Sequence, residues 1–120
     1  MAAPSKSIRW IASSLDDLRT FPRPVQYAVG VALRAAQLGR KHESAKPLRG
    51  FGGAGVLEVV EDHDGSTYRA VYTVRFQGFV YVLHVFQKKS TKGIQTPKHV
   101  LELIRARLAR AEQDYREGAP

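Results

Sequence analysis

The segment TYRAVYTVRFQGFVYVLHVFQKK, residues 67 to 89, decides the fold of this chain. It is rich in Val, Tyr and Phe, and the pair Gln77–Gly78 divides it into two runs of similar length. β-Branched and aromatic residues favour strands, and a glycine in a two-residue connection favours a tight hairpin turn. The segment therefore predicts two adjacent antiparallel strands, Thr67–Phe76 and Phe79 to about Gln87.

A third strand precedes this hairpin and a helix follows it. Residues 56–61 are strand-forming, and the HDGS stretch at residues 63–66 predicts a second tight turn. Thr96 and Pro97 provide a cap and a first helical residue for a C-terminal helix that extends to about Arg116. A meander of three antiparallel strands therefore leads into one helix.

The N-terminal half predicts one short strand and two helices. Ser7–Ala12 reads as an edge strand, and a brief helix begins at Ser13 or Ser14 and ends at the FPRP stretch. A second helix extends from Pro24 to about Leu38, with an apolar stripe at helical spacing. Residues 40–55 contain too many helix and strand breakers to be regular. The predicted class is α+β: a short strand, two helices, a three-stranded meander and a C-terminal helix.

The composition limits the class of protein. A chain of 120 residues fits one domain, residues 1–120, with residues 1–6 and 117–120 frayed. The net charge of +8 favours a polyanionic partner such as nucleic acid, and the alternative is charge that serves solubility only. The chain has no cysteine, no apolar run of the roughly 20 residues that span a bilayer, and four histidines without metal-ligand spacing. We expect a cytoplasmic protein without metal, cofactor or membrane partner.

Two-residue turns would fix the register of the three strands. Arg69 would then lie opposite Phe86, with these further pairs: Val71 with His84, Tyr72 with Leu83, Val60 with Arg69, and Glu58 with Val71. One face would be apolar and packed on the helices: Tyr68, Ala70, Tyr72, Val74, Phe76, Phe79, Tyr81, Leu83 and Val85. The other face would be exposed and would carry Glu58, Arg69, Thr73, Arg75, His84, Phe86 and Lys88.

The second face predicts a candidate site. A carboxylate, a guanidinium, an imidazole and an ammonium beside an exposed aromatic ring are able to bind a phosphate, stack a base and move a proton. His84 is the best general acid or base on this face, because imidazole titrates near 6.5. The alternative is a half-solvated sheet face on which Glu58 and Arg69 form a surface ion pair worth at most about 1 kcal/mol.

Four stretches resemble a known family: KPLRGFGGAGVLEV, YRAVYTV, YVLHVFQKKSTKGIQTPK and RARLARAE. In this order they are similar to the RelE/ParE toxin superfamily, specifically its phage-derived HigB-like branch, over Leu33–Glu112. The resemblance implies a fold like that of microbial RNases and a cognate helix-turn-helix antitoxin. It also implies an activity, the metal-independent cleavage of messenger RNA in the ribosomal A site.

The resemblance, together with the charges of the second face and its surroundings, assigns roles to individual residues. Arg69 matches the arginine that contacts the scissile phosphate, and Glu58, His84 and Lys88 complete the predicted catalytic set. The predicted RNA-binding residues are Arg49, Arg75, Phe86, Lys89, Lys92 and Lys98.

The first hairpin strand departs from the family pattern. RelE proper has paired lysines where this chain has VLEVVED. Glu58 would then serve as a base, or orient Arg69, or the protein would be a poor nuclease. The alternatives are a non-enzymatic, ParE-like inhibitor of DNA gyrase and an inactive RNA-binding homologue.

Overall fold

A five-stranded sheet with helices on both faces forms the molecule. The computed structural model describes residues 4–53, 55–88 and 96–118. The elements in chain order are β1 (Ser7–Trp10), α1 (Ser14–Arg19), α2 (Arg23–Gln37), β2 (Ala45–Pro47), β3 (Val56–His63), β4 (Ser66–Thr73), β5 (Phe79–Lys88) and α3 (Lys98–Gly118). The strand order is β1-β5-β4-β3-β2, with β1 parallel to β5 and the other pairs antiparallel.

This architecture confirms the predicted α+β class, with differences at the edges. The short strand β2 lies within the segment that was predicted to be irregular. Helix α3 continues through Gly118, and the backbone N–H of Lys6 donates to the Gln37 carbonyl. None of the helices within the described residues combines the length and apolar character needed to cross a bilayer.

Helix α2 packs on one face of the sheet through its apolar stripe. Its buried side chains are Val25, Val29, Ala32, Leu33 and Ala36. They contact the inward side chains of three neighbouring strands, which include Val59, Ala70, Tyr72, Val82 and Val85. Removing this stripe from water supplies the stability of this layer, at about 25 cal/mol per Å² of apolar surface.

Helix α3 packs on the opposite face and forms a second apolar cluster. Ile104 and Ala111 are completely buried there, in a cluster that includes Val71, Tyr81 and Leu83 of the sheet and Phe76 of the β4–β5 connection. The prediction that Phe76, Phe79, Tyr81 and Leu83 share one face with Tyr68, Ala70, Tyr72 and Val85 is therefore wrong. They belong to the α3 cluster because strand β4 ends at Thr73 and β5 changes its register.

The predicted register is confirmed over most of the meander. Val60 pairs with Arg69 and Glu58 with Val71, across a turn in which Asp64 and Gly65 both have positive φ angles, 51° and 80°. Such a turn matches the twist of the strands that it joins.

Between β4 and β5 the pairs Arg69–Phe86 and Val71–His84 also agree with the prediction. The register shifts after Val71, so that Tyr72 pairs with Val82 and not with Leu83. A bulge of this kind adds one residue to a strand and thereby reverses the faces beyond it.

Candidate nucleic-acid interface

A buried ion pair stands at the centre of the predicted site. The Arg69 Nη1 atom lies 3.0 Å from the Glu58 Oε2 atom and also donates to the Thr96 Oγ1 atom at 3.4 Å. Only 5% of the Arg69 side chain and 16% of the Glu58 side chain are exposed. The Glu58–Arg69 ion pair is therefore formed, but it is buried and does not lie at the surface, where the alternative interpretation placed it.

Two stacked rings lie beside this ion pair. Phe86 is the cross-strand partner of Arg69, and its ring stacks on the His84 ring at 4.9 Å with an interplanar angle of 16°. Both rings are half-buried. Lys88 lies two residues further along β5 on the same face, opposite Thr67. We call Glu58, Arg69, His84, Phe86 and Lys88 the Phe86 cluster.

An arginine of α3 fixes the state of His84. The Arg107 Nη1 atom lies 3.0 Å from the His84 Nδ1 atom and donates to the Leu83 carbonyl at 3.0 Å. Because a guanidinium only donates, Nδ1 accepts and the imidazole proton sits on Nε2. Burial and then the Arg107 charge lower the pKa of His84 to about 4, although Asp17 opposes them. The expected pKa near 6.5 is therefore wrong, and His84 is neutral at pH 7.

The other predicted RNA-binding residues are spread over the molecule. Lys98 is exposed at the start of α3, two residues after Thr96, and so lies near the Phe86 cluster. Arg49 is exposed next to Gly50, whose carbonyl accepts from Arg105 of α3.

Arg75 does not join the Phe86 cluster. It follows the far end of β4, roughly 20 Å along the strand direction from Arg69, and lines a depression with Gly52, Gly53, Gly55 and Val74. Lys89 and Lys92 lie outside the described residues.

Helix α3 covers a large part of the face that was predicted to be exposed. Val71 and Thr73 are completely buried there, and the stripe of α3 packs along β5. The physical reason is that the strands carry apolar side chains on both faces, and a two-sided apolar sheet requires a helix on each side. The Phe86 cluster stands at the end of this face, beside the start of α3.

Sequence reasoning missed Arg107. It stands three residues after Ile104 and four before Ala111, both completely buried, and thus takes a position of the apolar stripe. A charged residue at a position of the apolar stripe is unusual, and this feature of the sequence could have identified Arg107.

Residues 16–109 match the family described as phage derived protein Gp49-like (DUF891). The chain belongs to the Gp49-like family. The matched range includes most of α1, all of α2, all the strands of the meander and just over half of α3, and it confirms the predicted place among the phage-derived members of the RelE superfamily.

The similarity of the chain to individual proteins is more limited. No curated protein matches this Gp49-like chain. The solved structures that resemble it include the toxin–antitoxin complex RelBE2 from Mycobacterium tuberculosis, with 25% sequence identity and a TM-score of 0.45. That alignment covers 70% of this chain and 99% of the other.

Proposed function

We propose that this Gp49-like protein is the toxin of a type II toxin–antitoxin pair, of the HigB-like kind, and that it cleaves messenger RNA on the ribosome. Membership of the Gp49-like family supports the first part of this proposal, that the protein is a toxin. The observation that carries the RNA-directed part is the Phe86 cluster, in which a half-exposed aromatic ring stands among cationic and hydrogen-bonding groups.

Each group in the cluster has a chemical use toward RNA. The Phe86 ring offers a stacking surface for an unpaired base, an interaction worth about 1–3 kcal/mol. The neutral His84 ring has its proton on Nε2 and donates a hydrogen bond, for which a phosphoryl oxygen is a suitable acceptor. Lys88 and Lys98 attract the backbone without reading sequence.

Cleavage would join the 2′-oxygen of the RNA to the adjacent phosphorus and break the bond to the 5′-oxygen. The toxin would contribute by holding these atoms in line, which accounts for a large share of such rate enhancements. Glu58 is the candidate base for the 2′-hydroxyl proton, and the departing 5′-oxygen would take a proton from solvent water. His84 orients the phosphate in this scheme and transfers no proton, because its pKa lies near 4.

Primer extension on cellular messages after induced expression tests this proposal. New 5′ ends are expected with the unaltered protein, and Phe86→Leu and Lys88→Gln should each reduce them at least about fivefold. Arg34→Gln on the α2 side of the sheet is the matched control and should leave them unchanged. Messages that stay intact while the unaltered protein arrests growth would contradict the nuclease.

Arg69→Ala is less informative for this purpose. Removal of one partner from a buried ion pair costs about 3–5 kcal/mol, and the variant would lose its fold together with its activity.

A second candidate has one observation in its favour. Arg69 is 5% exposed and is paired with Glu58, so in this state its charge is not offered to a phosphate. A non-enzymatic inhibitor of DNA gyrase needs no exposed catalytic arginine. A supercoiling assay with purified protein separates the two, since only the inhibitor would block gyrase while messages remain intact.

A further inference from the structure

The outward face of α2 carries an apolar ridge. Tyr27, Val31 and Leu38 are 75%, 39% and 47% exposed, and they make up three of the five exposed large hydrophobic side chains among residues 4–53, 55–88 and 96–118. Intervals of four and seven residues align Tyr27, Val31 and Leu38, the C-cap residue of α2, along one side of the helix. This side is opposite to the stripe that packs on the sheet, so nothing in the fold uses it.

Positive charge accompanies this ridge along its length. Arg23 and Arg34 are exposed on the same side of α2, and Arg19, Arg23, Gln26 and Tyr27 line a depression at its N-terminal end. No acidic residue occurs between Asp17 and Glu43 in the sequence. Within the described part of the chain, neither Arg23 nor Arg34 has a carboxylate within 4.0 Å.

Gly30 adds a flat position next to the ridge. It lies in the interior of α2, it is exposed, and a Cβ atom built there would meet nothing within 4 Å. Glycine in a helix interior is less stable than alanine by roughly 1 kcal/mol. The packing of this chain gives no reason for that loss, whereas close approach of a second helix would.

We propose that the outward face of α2, formed by Tyr27, Gly30, Val31, Leu38 and the arginines beside them, binds an amphipathic helix with acidic flanks from a partner protein. Tyr27 and Leu38 are eleven residues apart, about 16 Å along the axis, which is three turns of a partner helix. Val31 and Leu38 match an apolar seam, and Arg19, Arg23 and Arg34 match acidic side chains on its flanks. That the partner is the antitoxin rests on the proposed function; the chemistry of the helix does not.

Other occupants fit this face less well. RNA phosphates would be drawn to the arginines but would gain nothing from Val31 and Leu38. A second copy of the chain would bring equal cationic surfaces together. A partner helix at this site would lie across the sheet from the Phe86 cluster, because α2 and α3 pack on opposite faces.

Binding of a synthetic peptide to the full chain tests the proposal, with fluorescence anisotropy as the readout. The probe is a labelled helical peptide of about 18 residues with a leucine seam and glutamates on both flanks. We expect it to bind, more weakly as salt is added, and we expect Val31→Glu and the double variant Arg23→Glu/Arg34→Glu each to lower its affinity at least about tenfold. A peptide with lysine in place of glutamate should not bind. Lys88→Gln is the matched control and should bind as the unaltered chain does.

Several outcomes would overturn the inference. The inference would be wrong if the acidic peptide failed to bind, or if it bound equally well to Val31→Glu. Alternatively, the same variants would abolish binding of an RNA oligonucleotide or of phosphatidylglycerol vesicles, or would dissociate a dimer of this chain in sedimentation experiments. Because the altered side chains are exposed, thermal unfolding should confirm that the variants stay folded.

Primer extension on the same variants separates this inference from the proposed function. Val31→Glu should retain the new 5′ ends while it loses the peptide. Loss of message cleavage in every protein, with peptide binding intact, would remove the nuclease and leave the docking face.

Discussion

Two buried tyrosines on neighbouring strands differ in the environment of their hydroxyl groups. The Tyr81 O–H donates to Asp114 Oδ2 at 2.7 Å, whereas the Tyr72 hydroxyl has no hydrogen-bond partner among the described residues. Burial raises both pKa values to about 12. We therefore expect Tyr81→Phe to lower the free energy of unfolding by about 1 kcal/mol, and Tyr72→Phe to leave it unchanged or raise it by a similar amount. Urea denaturation of the two variants measures the difference, and an equal loss in both would contradict it.

The burial of His84, together with its contact with Arg107, makes stability depend on pH. The folded protein has a His84 pKa of about 4, against 6.5 for the exposed side chain, so the unfolded chain binds more protons between these values. Stability from the neutral ring is complete above pH 6.5 and is lost as the pH falls toward 4. The loss amounts to at most about 3 kcal/mol.

Denaturation of the unaltered protein and of His84→Gln across this pH range measures that contribution. The unaltered protein should lose more stability between pH 6.5 and 4 than the variant does, because all other titrating groups are shared. Parallel curves for the two proteins would show that burial and Arg107 do not act on His84 as the structure indicates.

Helix α2 contains a position at which stability and binding should oppose each other. Gly30→Ala should raise the free energy of unfolding by about 0.5–1 kcal/mol, because alanine loses less backbone freedom in a helix and its methyl group meets no neighbour. Gly30→Gln should also keep the fold, but it should weaken binding of the acidic peptide because the glutamine side chain would obstruct a partner helix. A chemical-denaturation midpoint and an anisotropy titration on the same samples check both effects. A drop in stability for Gly30→Ala would show that the glycine serves the fold itself.

The strands show which features were predictable. Turn residues such as Asp64–Gly65 indicate a two-residue turn, so the register of β3 and β4, with Glu58 opposite Val71, was predicted correctly. The bulge after Val71 was not, because residues 79–83 are apolar at every position and carry no alternation that would mark a change of face. The predicted faces of Tyr81 and Leu83 were therefore wrong. Phe86 lies on the correctly registered side of the bulge and was placed correctly opposite Arg69.

The whole molecule buries both faces of one sheet, and this affects how well the candidate site was predicted. Glu58, Arg69, His84 and Phe86 share one face as predicted, because all of them lie on the correctly registered part of the meander. The prediction that these residues are exposed was wrong. The amphipathic pattern of α3 shows that the helix packs on the sheet but not which face of the sheet it covers. Arg69 contacts Thr96, and burial together with the Arg107 charge keeps His84 neutral; the strand pattern indicates neither of these tertiary effects.

The net charge of the molecule leads to a last prediction. At +8 the folded chain repels itself, while the ion pairs Arg9–Asp114, Arg19–Asp16 and Arg116–Glu112 involve largely exposed side chains that contribute little. Salt shortens the screening length from about 30 Å at 0.01 M to about 10 Å at 0.1 M, which relieves long-range repulsion more than it weakens contacts. Tm should therefore rise by roughly 2–5 °C over this range in thermal unfolding. The variant Arg23→Glu/Arg34→Glu loses two charges at each position, so its net charge is 8 − 4 = +4, and its Tm should rise less. A Tm that falls with salt would mean that attraction between local pairs outweighs the repulsion, and the cationic face of α2 would then carry no electrostatic cost that an acidic partner relieves.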